Sequence, residues 1–207
     1  MPQDIKRKLA AIVFTDIVNF SSISGTDEKQ AISLLEAQNK IVQPLLKEYQ
    51  GTLHKELGDG LLLSFTTVSD AIKFSIKFQE KSKRIKGLII RIAIHEGEVT
   101  FKGKDVIGDD VNLTSRIEGF AAPGGIVISG KVQQNILSIP EYKTHYIGKP
   151  KLKGISQNVS VYCIISHNLP KTKSSDISAK LESDTKQIIT RGLLSLSAIV
   201  FVSWFII

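Results

Sequence analysis

Two aspartates stand where a carboxylate is costly unless it is paired or bound to a cation. Asp16 ends the apolar segment 9–15, and Asp59 lies between two glycines in a predicted β-hairpin formed by residues 52–57 and 61–66. If the first strand lies beside this hairpin, the two carboxylates meet and offer oxygen ligands of the kind that Mg²⁺ takes. Taken alone, each aspartate also has an explanation other than metal binding: Asp59 could be an ordinary turn residue, and Asp16 could cap a helix or loop.

A second pair lies on a predicted helix that spans residues 110–120. Asn112 and Arg116 are four residues apart, so they share one face of that helix. A neutral hydrogen-bonding group beside a fixed cation suits the charge that develops on a transferring phosphoryl group. The alternative is a surface Asn and a surface Arg, and spacing alone favours it.

The elements that must position these residues follow from hydrophobic periodicity and turn signals. We predict a polar loop at 21–27 and helices at 27–50, 110–120 and 131–137, with a further helix that begins after a Ser69 cap. Further strands are predicted at 88–94, 126–129, 142–147 and 159–165. The first six elements then read βαββαβ, which is the ferredoxin-like order of an α+β protein. In that arrangement a mostly antiparallel sheet carries helices on one face, and αβαββ elements are added here.

Composition limits the function classes. The 207 residues suggest one domain with an appendage, and the lone Cys163, expected to be buried, excludes a disulfide framework and a multi-cysteine zinc site. The formal net charge is +7, and residues 73–91 hold seven Lys and Arg against one Glu. This segment is either a solvated helix face or a surface for anionic lipid or nucleic acid. A nucleic-acid module would need exposed aromatic residues on the sheet, and the predicted strands are mainly aliphatic, so we expect no nucleic acid partner.

The end of the chain is different from the rest. Residues 192–207 contain no charged residue, and we predict a transmembrane helix at 191–207 that would reach about 24 Å, slightly short of a ~30 Å hydrocarbon core. Arg191 and Lys186 precede it, as on a cytoplasmic flank. Before it we assign an N-terminal tail at 1–8, a domain at 9–165 and a polar linker at 166–190, with the domain in the cytoplasm of a membrane-anchored protein. The alternative is a buried or partner-packed helix, and the abrupt end fits either a tail anchor or a fragment of a longer chain.

Four stretches together carry a resemblance to a known family. They are AIVFTDIVNFS at 11–21, KELGDGL at 55–61, IHEGEV at 94–99, and DVIGDDVNLTSR at 105–116 continuing to GGIVIS at 124–129. In this order and at these separations they resemble the catalytic domain of class III nucleotidyl cyclases, the adenylate and guanylate cyclases, over residues 8–165.

The resemblance implies roles for the metal-binding and base-reading residues. Asp16 and Asp59 match the two aspartates that bind two Mg²⁺ or Mn²⁺ ions, and Ile17 matches the residue whose carbonyl is a further ligand. Lys55 and Asp105 match the pair that reads the purine, and they look like the adenine-selecting set. Lysine can donate to adenine N1 and aspartate can accept from the exocyclic amine, whereas guanine presents the opposite pattern.

The resemblance also implies the reaction and its assembly. Asn112 and Arg116 match the transition-state residues, and Lys153 matches a lysine that meets the terminal phosphates. The implied activity is conversion of ATP to 3′,5′-cyclic AMP and pyrophosphate at sites shared between the two chains of a homodimer. Alternatives are a guanylate cyclase and a catalytically silent regulatory or binding module. Ala93 and Thr114 depart from the residues usual in the family, Gly and Ala, and we interpret both as packing changes.

Overall fold

The computed structural model describes residues 5–103 and 105–178, which form one sheet with helices on both of its faces. The strands are β1 Ile5–Ile17, β2 Thr52–Leu57, β3 Gly60–Phe65, β4 Ile90–Lys102, β5 Asp105–Ile107, β6 Ile126–Ser129, β7 Thr144–Gly148 and β8 Val161–Ile164. The helices are α1 Phe20–Thr26, α2 Glu28–Glu48, α3 Val68–Ser82, α4 Asp109–Glu118 and α5 Gly130–Ile136, with a 3₁₀ turn at Ser174–Asp176.

The sheet has the order β2-β3-β1-β4-β6-β8-β7, and β5 pairs with the end of β4. The β4–β6 pair is parallel, and the other pairs are antiparallel. The order β2-β3-β1-β4 is that of a ferredoxin-like βαββαβ unit, so the predicted core arrangement is confirmed. Because β1 lies beside β3, the end of β1 comes close to the β2–β3 turn.

The two central strands are longer than the sequence predicted. β1 and β4 pair along thirteen residues each, from Ile5 opposite Lys102 to Ile17 opposite Ile90. The predicted strand at 88–94 is therefore too short at its C-terminal end, because β4 continues through residues 95–102. Pairing with β1 satisfies the backbone there, and the exposed Glu98 forms a 2.6 Å ion pair with Arg7, so polar residues are tolerated in the strand.

The two faces of the sheet have separate cores. On one face α2, α3 and α5 cover the main core, as the ferredoxin-like order predicts for α2 and α3. On the other face α4 packs through Leu113 and Ile117 against Ala93 and Val127. Ala93 and Thr114 are fully buried there, which agrees with their interpretation as packing residues. We call this second side the α4 face.

Several local predictions are corrected or confirmed by the structure. Residues 20–26 form helix α1 where a loop was predicted, and α3 is capped by Thr67, whose hydroxyl accepts from the Asp70 N–H at 3.1 Å, and not by Ser69. Cys163 is buried, as expected. The basic side chains of α3, Lys73, Lys77 and Lys81, are exposed, whereas the apolar residues of this helix are buried in the main core. These lysines therefore lie on the side of the domain opposite the α4 face.

The first part of the predicted linker packs on the domain. Leu169 is buried in the main core, the Thr172 hydroxyl accepts from the Ala122 N–H at 3.3 Å, and the Ser178 N–H donates to the Gly119 carbonyl at 2.8 Å. No helix in the described parts of the chain, 5–103 and 105–178, is long and apolar enough to cross a bilayer. The predicted apolar helix at 191–207 lies outside the described residues.

Candidate active site

Asp16 and Asp59 lie together, as the sequence predicted. Asp16 is at the end of β1 and Asp59 is in the β2–β3 turn, and the Ile17 N–H donates to Asp59 Oδ2 at 2.8 Å. The buried Gln38 on α2 donates to the Asp59 carbonyl at 3.0 Å, which fixes the turn. Both aspartates and Ile17 line a pocket of about 310 Å³ that also includes the start of α1, and we call it the acidic pocket.

The acidic pocket carries an excess of negative charge. Burial raises the pKa of Asp16 to about 6. The charge of Asp59 and a hydrogen bond with Asp59 raise it further, and the charge of Arg91 lowers it. Burial raises the pKa of Glu118 to about 7, the charges of Asp16 and Asp59 add to it, and Arg91 again opposes it. Three carboxyl groups therefore act on one another against a single guanidinium, and a bound divalent cation would relieve this repulsion.

Glu118 and Arg91 were missed by the sequence reasoning. Arg91 stands directly opposite Asp16 in the β1–β4 register, and its Nε donates to the Ala121 carbonyl at 3.0 Å. Glu118 ends α4 next to the buried Ile117, and its Oε1 is buried without a hydrogen-bond partner. The available signals were an arginine inside an apolar strand and a glutamate beside a core position, and both depend on knowing the pairing.

The donor set fits a magnesium-type ion. Within the described residues no three His, Cys, Asp or Glu side chains are grouped to hold a metal, so Asp16 and Asp59 form a two-carboxylate set. Mg²⁺ commonly binds through one or two carboxylates and completes its coordination with water and substrate phosphates. The acidic pocket therefore fits ions that arrive with a polyphosphate.

A second pocket lies on the α4 face, between β2, β5 and α4. Its volume is about 370 Å³, and it is lined by residues that include Phe14, Lys55, Leu62, Val106 and Asn112. We call it the apolar pocket. A mostly apolar pocket with a few polar groups at its edge is typical of small-molecule sites, and a planar heterocyclic base fits such a lining.

Lys55 and Asp105 meet at the edge of the apolar pocket. Lys55 Nζ lies 2.8 Å from Asp105 Oδ1, and both side chains are 41% exposed. The hydrogen bond from Lys55 holds the pKa of Asp105 below its usual value, so this carboxylate remains an acceptor. The register of β2 against β3 shifts between Leu53 and Lys55, and this bulge sets the direction of the lysine.

Asp105 is delivered by an element that the sequence analysis did not predict. Strand β5 folds back on β4, with Asp105 opposite Lys102, and Asp105 Oδ1 accepts from the Val106 N–H at 2.7 Å. Such a three-residue strand is too short to show a period of two in the sequence.

The remaining predicted site residues are on α4 and in the loop after β7. Asn112 lines the apolar pocket, and Arg116, one turn later, is exposed on the same helix. Lys153 is exposed between the buried Leu152 and Gly154, and it lines neither the acidic nor the apolar pocket. The described chain thus presents two pockets, the acidic pocket and the apolar pocket, whose lining residues do not overlap.

Comparison with known proteins identifies the family. A sequence model described as the adenylate and guanylate cyclase catalytic domain matches residues 5–166. The chain belongs to this family. The match covers all of the site residues named above, and the resemblance found in the sequence is confirmed.

Individual relatives agree with this cyclase assignment. "Putative adenylate cyclase 3" of Rhizobium meliloti (strain 1021) is 29% identical over 168 residues, which cover 77% of this chain and 29% of that protein. The adenylyl cyclase CyaB from P. aeruginosa superposes with a TM-score of 0.70 at 25% identity, over 79% of this chain and 96% of that one.

Guanylate cyclases share the fold as well. The guanylate cyclase domain of RhGC from Catenaria anguillulae, solved in complex with GTP, superposes with a TM-score of 0.66 at 23% identity, over 79% of this chain and 98% of that one. This domain is therefore a class III cyclase domain whose purine the family alone leaves open. The chain spans less than a third of the length of the Rhizobium protein.

The raised pKa of Asp16 gives a stability prediction. Above about pH 6 the ionised Asp16 is less favourable in the folded than in the unfolded protein, so its replacement by the neutral isostere should stabilise the metal-free domain. We expect Asp16→Asn to raise the melting temperature at pH 7.5 by about 2–4 °C, corresponding to about 1 kcal/mol after discounting for partial exposure. The gain should shrink as the pH falls from about 6 toward 4, because the folded-state carboxyl becomes protonated and no longer carries a buried charge. Thermal unfolding in metal-free buffer measures it.

The matched control is Asp109→Asn, which neutralises an exposed aspartate. It should not reproduce the pH-dependent gain. Millimolar Mn²⁺ should raise the melting temperature of the wild-type protein and not that of Asp16→Asn. Destabilisation by Asp16→Asn at pH 7.5 would contradict the prediction that ionised Asp16 is unfavourable in the metal-free fold. An equal response of both proteins to Mn²⁺ would contradict the proposed role of Asp16 as a metal ligand.

Proposed function

We propose that the protein is an adenylate cyclase that converts ATP to 3′,5′-cyclic AMP and pyrophosphate. The observation that carries the proposal is the Lys55–Asp105 pair at the edge of the apolar pocket. Lys55 donates to adenine N1 and the carboxylate of Asp105 accepts from the adenine amino group. Guanine in the same position would set N1–H against the lysine and O6 against the carboxylate, so the pair selects adenine by attraction and by rejection.

The residues on α4 act on the ribose and the α-phosphate. Asn112, which lines the apolar pocket, orients the ribose so that its 3′-oxygen is in line with the bond to be broken. The 3′-oxygen forms a bond to the α-phosphorus, the 3′-hydroxyl loses its proton, and the bond to the β-phosphate oxygen breaks to release pyrophosphate. Arg116 stabilises the charge that develops on the α-phosphate.

Asp16, Asp59 and the Ile17 carbonyl are the proposed ligands of two Mg²⁺ or Mn²⁺ ions. When bound, these ions would lower the pKa of the ribose 3′-hydroxyl and neutralise charge on the triphosphate. The mutual repulsion in the acidic pocket supports this role, because carboxyl groups with raised pKa values gain most from a cation. Lys153 is proposed to contact the terminal phosphates from its exposed loop.

The two pockets support a homodimer. In the described chain, the acidic pocket and the apolar pocket have no lining residue in common, as expected if each is completed by the pocket of a second chain. A two-fold arrangement would place the acidic pocket of each protomer against the apolar pocket of the other and give two equivalent sites. Leu57 and Ile107, which line the apolar pocket and are 50% and 48% exposed, would then be covered by the partner.

The reaction and the shared site are tested together by complementation. Wild-type protein should form cyclic AMP from ATP and little cyclic GMP from GTP, measured by chromatography with Mg²⁺ and with Mn²⁺. Asp16→Ala and Arg116→Ala should each abolish activity, and mixing them in equal amounts should restore about a quarter of the wild-type rate. About half of the dimers are then mixed, and each mixed dimer has one intact site of two.

The control is a mixture of Asp16→Ala with Asp59→Ala. Both changes damage the acidic pocket, so no mixed dimer has an intact site and no activity should return. Absence of restoration in the first mixture would argue against shared sites. Cyclic GMP as the main product would favour the guanylate cyclase alternative, and no product from either nucleotide would favour the silent module.

Purine selection is tested at the base-reading pair. Lys55→Glu combined with Asp105→Ser should shift the ratio of kcat/KM for ATP over GTP by at least about tenfold toward GTP, because the donor and acceptor positions are exchanged. Lys153→Glu is the matched control. It makes the same charge reversal and should lower kcat/KM for both nucleotides without changing their ratio. An unchanged ratio in the double variant would mean that the purine is read elsewhere.

We also propose that residues 191–207 anchor the protein in a membrane with the cyclase domain on the cytoplasmic side. The support is the uncharged sequence of 192–207 and the basic residues before it. The full chain should float with lipid vesicles and resist carbonate extraction, whereas a chain ending at Ser178 should not. A full chain that stays in the aqueous fraction would refute the anchor.

A further inference from the structure

A buried hydrogen-bonded chain on the α4 face has not been used by the proposed mechanism. His95 on β4 is 2% exposed, its Nδ1 lies 2.7 Å from Ser129 Oγ, and its Nε2 lies 2.9 Å from Asp110 Oδ1. Asp110 is in the first turn of α4 and its side chain is 17% exposed. These hydrogen-bonded side chains therefore connect the end of β6 to the start of the helix that carries Asn112 and Arg116.

The surroundings assign the protons of this chain. Ser129 Oγ accepts from the Val132 N–H at 3.5 Å, as the cap of α5, so its own hydroxyl proton is free to be donated to His95 Nδ1. The neutral histidine then keeps its proton on Nε2 and donates it to the Asp110 carboxylate. Every polar group in the chain is satisfied when His95 is neutral.

The charged groups around His95 agree with the neutral form. Burial lowers the pKa of His95, and Lys131 on α5 also lowers it. The hydrogen bond to Asp110, the charge of Asp110 and the charge of Glu96 on β4 oppose this effect. The lowered pKa of His95 therefore keeps the imidazole neutral at physiological pH.

Gly97 on β4 leaves the space that the side chain of Asp110 occupies beside the sheet. A Cβ at Gly97 on β4 would overlap the carboxyl group of Asp110. The Thr114 hydroxyl donates to the Asp110 carbonyl at 2.7 Å, so the side chain of Asp110 is held by the sheet while its backbone is held within the helix. The first turn of α4 is thus located against β4 by a polar contact, in addition to the apolar packing of Leu113 and Ile117.

We propose that His95 and Asp110 are positioning residues whose hydrogen bond fixes the start of α4 on the sheet and so sets where Asn112 and Arg116 stand. The inference rests on the proposed cyclase function, because those two residues are its transition-state groups. Apolar packing tolerates sliding of a helix by fractions of an ångström, whereas a hydrogen bond between buried groups does not. A displacement of about 1 Å at a catalytic group can cost on the order of a hundredfold in rate.

The Ser129–His95–Asp110 order also resembles a hydrolytic triad, but the structure argues against that chemistry. Ser129 is 1% exposed and His95 is 2% exposed, so no substrate carbonyl could reach the hydroxyl. The hydroxyl also serves as a helix cap. The geometry therefore supports positioning and not nucleophilic catalysis.

The test compares three substitutions in the full chain by their kcat and KM for ATP. Asp110→Ala should lower kcat at least about tenfold and change KM less than about threefold, because the turn is displaced while the purine-reading pair is intact. Asp110→Asn should keep kcat within about threefold of wild type, because its amide oxygen still accepts from Nε2–H. Asp109→Ala, which removes an exposed carboxylate from the same turn, should leave kcat unchanged and thereby controls for the loss of helix-terminal charge.

A second variant pair makes the test independent of simple misfolding. Gly97→Ala should lower kcat, because its methyl group pushes the Asp110 carboxyl group and with it the first turn of α4. In an Asp110→Gly background Gly97→Ala should cost nothing further, because that substitution removes both the carboxyl group and the Cβ that a methyl group at residue 97 would overlap. Additive losses in the double variant would overturn the proposal, as would wild-type kcat in Asp110→Ala or equal losses in Asp110→Asn and Asp110→Ala.

An NMR titration of the His95 imidazole tests the pair without any activity assay. Removing the negative charge in Asp110→Asn should lower the pKa of His95 further, whereas Asp109→Ala should leave it unchanged. An identical His95 titration in wild type and Asp110→Asn would overturn the pairing even in an active enzyme. A wild-type protein that forms no cyclic nucleotide but shows the expected titration would instead refute the proposed function and leave the pair established.

Discussion

The pairing of β1 with β4 over thirteen residues is the constraint on which the site depends. It sets Arg91 opposite Asp16 at one end, His95 opposite Ile12 in the middle and Lys102 opposite Ile5 at the other. The β4 end at Lys102 then turns into β5 and delivers Asp105 to Lys55. Because side chains alternate between faces with a period of two, a slip of one residue would move Asp16 and Arg91 to the main core.

Charge in the acidic pocket is left unbalanced by the protein itself. Burial raises the pKa values of Asp16 and Glu118, the negative charges of neighbouring carboxyl groups add to the rise, and Arg91 partly opposes it. Such an arrangement lowers the stability of the metal-free fold at neutral pH, and the proposed divalent cations would relieve this cost. The exposed apolar side chains of Leu57 and Ile107 at the apolar pocket are likewise unfavourable in water, and the proposed homodimer would cover them.

How much of this could be predicted from the sequence depends on the range of each interaction. The hairpin at Asp59, the helix that carries Asn112 and Arg116, and the βαββαβ order follow from turn residues and local periodicity, and all three are confirmed. The short strand β5, helix α1 and the extension of β4 through His95 were missed. Each of them is stabilised by contacts with distant residues, which leave little periodic signal in their own segments.

The sequence by itself determined which chemical groups are available and which family they belong to, because residue types and their order survive without knowledge of contacts. Only the tertiary structure decided which groups act on one another. It joined Lys55 to Asp105, brought Glu118 and Arg91 to Asp16, and connected His95 to the start of α4. These relations arise between residues at least 15 positions apart, where strand register and the packing of α4, and not local sequence, set the distances.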